Sequence, residues 1–173
     1  IEHLRNRAQR ISLKEPEPVE IAATPAFATG MVPLALAELP EALLPHTVFL
    51  RSMPAEAAVQ AVLGRTADFC VTSLPAEQPG LEAHGYFQGR CAAVLSVNDP
   101  LAAKDVVSIT DLADQTVITL ANPFRLRRRV DKALQDANVR AGRIIATSAA
   151  MSAVQVASTG MGIAIVEPAT AYG

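Results

Sequence analysis

Apolar positions along this chain switch repeatedly between strand-like runs and helical spacing, and the switches predict its elements. Val19–Ala23 reads as a first buried strand. A helix is predicted from about Ala26 to Leu44, with Val32, Leu36, Leu39 and Leu43 on one face; Pro40 predicts a kink or early stop there. Val48–Arg51 is a second strand. Pro54 suits a first helical turn, Val59, Val62 and Leu63 give the next helix its apolar face, and Gly64 sits where a C-terminal cap belongs. Phe69–Thr72 is a third strand. This β-α-β-α-β order is the unit of a parallel sheet covered by helices.

Gln78-Pro79-Gly80 marks a turn, followed by two extended segments, Leu81–Phe87 and Cys91–Val97. Ser108–Leu112 reads as a short helix with a hydroxyl cap. Thr116–Leu120 is another buried strand. Asn122-Pro123 places an N-cap residue before a proline at the first helical position, and Leu126, Val130, Leu134 and Ala137 line the helix that follows. Arg143–Thr147 is a strand and Met151–Thr159 a short helix closed by Gly160. Ile163–Val166 is a last strand, ending at Glu167-Pro168. A second α/β lobe therefore follows the first. The chain shows no internal sequence repeat.

Half of the residues are hydrophobic, Trp is absent, and Ala, Val, Leu and Ile dominate, as suits tightly packed α/β layers. A length of 173 residues fits one ordinary domain or two small lobes. The formal charge of -2 argues against a polyanion binder. Cys70 and Cys91 lie in apolar runs and read as two buried, reduced thiols. No apolar run reaches the roughly 18 residues needed to span a bilayer. The start of the chain is basic and polar, without the apolar core of a secretory signal. Ile1, Leu4, Ala8 and Ile11 form a helical stripe that ends at Pro16 and Pro18.

Two strands end in small polar residues, at Thr24-Pro25 and at Thr72-Ser73. Small hydroxyls and backbone N–H groups at such points suit a small polar or anionic molecule. The histidines, His3, His46 and His84, are scattered with no acid or thiol at ligand spacing, so neither a metal nor another cofactor is expected. No nucleophile with a plausible base, no dinucleotide fingerprint and no phosphate loop is present, so the chemistry reads as binding and not catalysis.

Several segments together carry a family resemblance. They are the turn Thr24-Pro25-Ala26, Ala67-Asp68 before a buried strand, Asn98-Asp99-Pro100-Leu101-Ala102, Ile109-Thr110-Asp111-Leu112-Ala113 and Gly160-Met161-Gly162-Ile163-Ala164-Ile165. In order and spacing, over nearly all of Val19 to Gly173, they resemble the effector-binding domain of LysR-type transcriptional regulators. The resemblance implies an α/β fold of the type 2 periplasmic-binding-protein kind: two Rossmann-like lobes joined by two crossover strands, with a ligand cleft between them. Residues 1–18 would be the end of a linker helix and a linker, 19–95 lobe I, 96–167 lobe II, and 168–173 the start of a return to lobe I. Hinges would fall near Val94–Val97 and Val166–Pro168. A winged helix-turn-helix DNA-binding domain would lie upstream of the chain, and a further strand and helix beyond Gly173.

The same resemblance places the effector contacts at Thr24, Pro25, Ala26 and Ser73 in lobe I. In lobe II it places them at Asn122, Pro123, Phe124, Arg125, Ser148 and Met151. The family has a second hydroxyl where this chain has Ala26. Arg125, Arg127, Arg128 and Arg129 crowd the start of one helix, where cations oppose the helix dipole. They read as a solvated face, with Arg125 nearest the cleft and able to pair with a carboxylate. The function implied is a cytoplasmic sensor of a small carboxylate or amino-acid-like effector. It would act as a homodimer, with a tetramer as the larger assembly at full length, and reach DNA only through the upstream domain. The dimer would pair the segment Val32–Leu44 of one subunit with Ala55–Leu63 of its mate, so charges at Leu36 or Val59 should yield monomers. The alternative is a solute-binding protein for uptake, and an enzyme on the same fold is a third reading.

Overall fold

The computed structural model describes residues 18–73, 79–121 and 125–171. The helical stripe and linker expected over residues 1–17 lie outside them. The described residues divide into two compact units, one up to His84 except for Thr29–Met31, the other those three residues with the chain from Gly85 on.

The first unit begins with β1 (Val19–Ala23), whose alternate side chains serve two different cores. Ile21 and Ala23 pack with Ala28 and Val32 of the following helix. Ala22 points the other way and packs with Ala58 and Ala67. That helix starts at Pro25, opens into a wide turn over Phe27–Met31, and continues as α1 (Val32–Ala37). It stops short of Pro40, the early stop expected there. A single tight turn, Glu41–Leu43, leads on to β2 (Val48–Ser52). Next come α2 (Ala55–Leu63) and β3 (Phe69–Val71). All three strands are parallel, in the order β2-β1-β3. The chain leaves the central strand to one side and returns to the other, so α1 and α2 cover opposite faces, as right-handed crossovers require. Leu36 packs on the α1 core and Val59 is 5% exposed. Val59 therefore belongs to the core of the unit, while Leu36 is half-buried.

The second unit repeats that topology and adds one strand. β4 (Ala92–Val94) is an antiparallel edge; the extended run expected over Leu81–Phe87 forms no strand. Then come β5 (Thr116–Leu120), α3 (Arg125–Asp136), β6 (Arg143–Thr147), α4 (Ala150–Ser158), β7 (Ile163–Val166) and a short α5 (Pro168–Ala171) that the sequence pattern did not suggest. The sheet order is β4-β7-β5-β6, so β5 is central to its parallel part as β1 is in the first unit. Val117, Ile118 and Ile163 are fully buried, each contributing about 1.5–3 kcal/mol by leaving water. Leu126, Val130 and Leu134 present the predicted face of α3 to this core, and Ala150, Ala153 and Ala157 let α4 approach closely. Gly160 takes the left-handed conformation that closes α4. Gly162 follows, where an added Cβ would collide with the Thr116 carbonyl of the neighbouring strand.

The cysteine expectation needs correcting. Both thiols are free, but only Cys70, on β3, is partly buried, and its burial pushes the thiol pKa up. Cys91 is exposed because it precedes an edge strand.

Candidate functional site

Each unit has a topological switch point, where connections from neighbouring strands leave toward opposite faces and open a crevice at the strand C-termini. In the first unit it lies between β1 and β3, whose last paired residues are Ala23 and Val71. The chain continues from them into Thr24 and Thr72-Ser73, which brings two sequence-predicted positions side by side. The Thr24 N–H donates to the Val71 carbonyl at 3.1 Å, tying one loop to the other strand. The Thr24 carbonyl accepts from the N–H groups of Phe27 at 2.9 Å and Ala28 at 2.8 Å, so Thr24 caps the helix. The Phe27 N–H is thereby spent within the turn and is not offered to a ligand. Met53 N–H donates to the Ala23 carbonyl at 2.9 Å, which anchors the loop after β2 to the same edge. Thr24 is 9% exposed; Pro25 and Ser73 are exposed and Ala26 is half-buried.

In the second unit the equivalent edge gathers the ends of β5, β6 and β7. Ala121 N–H donates to the Thr147 carbonyl at 2.7 Å, joining the loop after β5 to the loop after β6. The Thr147 hydroxyl donates to the Ala149 carbonyl at 2.9 Å and shapes the turn into α4. Ser148 is exposed and Met151 is 41% exposed, so neither is consumed by the core. Asn122, Pro123 and Phe124 lie outside the described residues, and Arg125 enters only as the first residue of α3.

Sequence reasoning missed the residues at the end of β7. Glu167 Oε2 and Thr170 Oγ1 are both buried without a hydrogen-bond partner among the described residues, as is Thr119 Oγ1 on β5. The Glu167 carbonyl caps α5, accepting from Thr170 N–H at 3.0 Å. The sequence had registered Glu167-Pro168 only as a strand terminator. The one signal available was its position after the last strand of the β-α-β-α-β unit, equivalent to Thr72 in the first.

Hydroxyls, a carboxylate and small side chains at strand ends can orient a polar molecule. Among the described residues, no three His, Cys, Asp or Glu side chains are grouped to hold a metal ion. Among the described residues no helix is long and apolar enough to cross a membrane.

This is the architecture of a two-lobed α/β ligand-binding domain. The family model for the LysR substrate binding domain matches residues 14–172, and the chain belongs to that family. It is 29% identical over 146 residues to the regulatory protein NocR of Agrobacterium tumefaciens strain T37, covering 84% of this chain and 47% of that protein. The chain thus spans about half the length of the curated relatives it matches. The effector binding domain of BenM with its effector benzoate superposes with a TM-score of 0.70 at 17% identity. That superposition covers 90% of this chain and 72% of that one. The effector binding domain of QuiR in complex with shikimate gives 0.63 at 18% identity, covering 91% and 77%. These neighbours share the type 2 periplasmic-binding-like fold anticipated from the sequence.

Proposed function

We propose that the chain is the effector-sensing part of a transcriptional regulator. It takes up a small carboxylate or amino-acid-like molecule at the strand-end loops of its two units. Thr24, Pro25, Ala26 and Ser73 would contact the effector from the first unit. Asn122, Pro123, Phe124, Arg125, Ser148 and Met151 would do so from the second. The observation that carries this reading is the repeated topology, which gives each unit a crevice at its strand C-termini, with Thr24 and Ser73 there in the first unit and Thr147 and Ser148 at the end of β6 in the second. Family membership and the small carboxylates named with BenM and QuiR support the chemical class.

In this reading the protein binds without turnover, works in the cytoplasm as a homodimer, and acts on DNA through a domain outside this chain. The effector shifts the regulator between its states only by its difference in affinity for them. A thermal-shift screen of amino acids, organic acids and aromatic carboxylates tests the reading. A true effector at a hundred times its Kd adds about 2.7 kcal/mol of stability. Ser73→Ala should weaken that ligand roughly 3- to 10-fold, the worth of one hydrogen bond. A screen in which no compound shifts the transition overturns the proposal, as does a ligand whose affinity ignores both Ser73→Ala and Thr24→Val.

A further inference from the structure

A cavity of about 290 Å³ lies wholly within the second unit, along the β4 edge from Cys91, beside the end of β7, to the turn Ile109–Leu112. Its floor is apolar: Ala93 and Ile165, directly paired across β4 and β7, with Leu112 and Val130 beside them. The cavity exists because α3 covers β5 and leaves the β4–β7 side of the sheet to the short turn Ile109–Leu112. Alanines at 93 and 133 do not fill the gap. Three polar residues stand at the wall: the exposed Cys91, Ser108, whose hydroxyl donates to Asp111, and Arg129.

Arg129 is the one charged residue lining this cavity. Its helix neighbours are neutralised differently. Arg127 pairs with Asp131 at 2.7 Å and Lys132 with Asp136 at 2.7 Å. Arg129 has Ala133 four residues on and Lys132 three on, so no acid of its own helix is in reach. It makes no hydrogen bond or ion pair among the described residues. The nearest acid on the facing turn, Asp111, already accepts from Lys104 at 2.6 Å and from the Ser108 N–H at 2.8 Å. Arg129 is exposed, and a guanidinium without a counter-ion on a residue that lines an apolar hollow is complementary to a carboxylate with an apolar body. The volume, at the small end for ligand pockets, limits that body to a short chain or a single ring.

We propose that this cavity is a second small-molecule site, for a short apolar monocarboxylate, with Arg129 holding the carboxylate. None of the residues proposed to contact the effector lines it. Cys91 supplies its own reporter. In a Cys70→Ser background of the intact protein, the rate of Cys91 alkylation by N-ethylmaleimide is followed with hexanoate or hexanamide present. Saturating hexanoate should slow alkylation at least fivefold and hexanamide less than twofold. Arg129→Gln should remove the protection, and Arg128→Gln, a neighbouring exposed cation outside the cavity lining, should keep it. Equal protection by the amide, protection surviving Arg129→Gln, or absence of protection at 10 mM hexanoate (on the order of the weakest affinities that matter) would each overturn the proposal. So would a Cys91 that is unreactive before any ligand is added, since the cavity would then be covered.

Discussion

Asp111 closes the turn before β5 by accepting from the Ser108 N–H, the Ser108 hydroxyl and the Lys104 ammonium. These bonds favour its ionised form, and they pull its pKa down from the ordinary 3.8 to about 2. The carboxyl therefore loses its proton more readily folded than unfolded. Its contribution to stability is complete above about pH 4 and disappears as the pH falls toward 2. Melting temperature measured against pH should drop along this limb, and Asp111→Asn should flatten it while lowering the plateau above pH 5. The capping role of Ser108 was legible in the sequence, because a hydroxyl before Ile-Thr-Asp-Leu states its own geometry. The burial of Glu167 Oε2 was not, because a carboxylate beside a proline reads locally as an exposed turn.

Among the elements, the helix after β1 departs furthest from its pattern. The Val32 N–H donates to the Phe27 carbonyl, five residues back, where an α-helix reaches four. Pro33 supplies the cause. In regular geometry its ring would press on the Thr29 carbonyl, and it has no N–H to offer that oxygen. The wide turn moves the carbonyl aside and lets the helix continue. Pro33→Ala should restore the missing donor and draw the turn into regular helix. The expected gain is about 1–2 kcal/mol, part of the interior cost of proline, seen as a higher melting temperature and slower amide exchange over residues 29–33. Elsewhere the local rules sufficed. Thr116–Leu120, Arg143–Thr147 and Ile163–Val166 form as strands over the expected residues, because each is a short apolar run bounded by turn formers. Leu81–Phe87, interrupted by Glu82, His84 and Gly85 and without a β-branched residue, pairs with no strand.

For the whole molecule, the proposed homodimer makes a distinct demand on the surface. Leu34 is 51% exposed and Leu43 67% exposed, and both lie in the segment proposed to meet a second copy. Leu43→Glu should leave the melting temperature nearly unchanged, as surface substitutions usually do within about 0.5 kcal/mol. It should nonetheless turn dimers into monomers in sedimentation velocity. Val59→Glu should instead unfold the first unit, because it places a charge in a core with no partner. A dimer that survives Leu43→Glu and Leu34→Glu together would exclude this face. The sequence alone determined the number and kind of most elements, the two α/β lobes and the family, because hydrophobic period, caps and turn residues act over a few positions at a time. It also named Thr24 and Ser73, since a strand that ends in a hydroxyl shows that locally. Only the tertiary structure decided which strands are neighbours. From that follow the matched switch points, the buried Glu167 oxygen, the exposure of Cys91 and the hollow beside Arg129, because each depends on residues far apart in the chain meeting across a sheet.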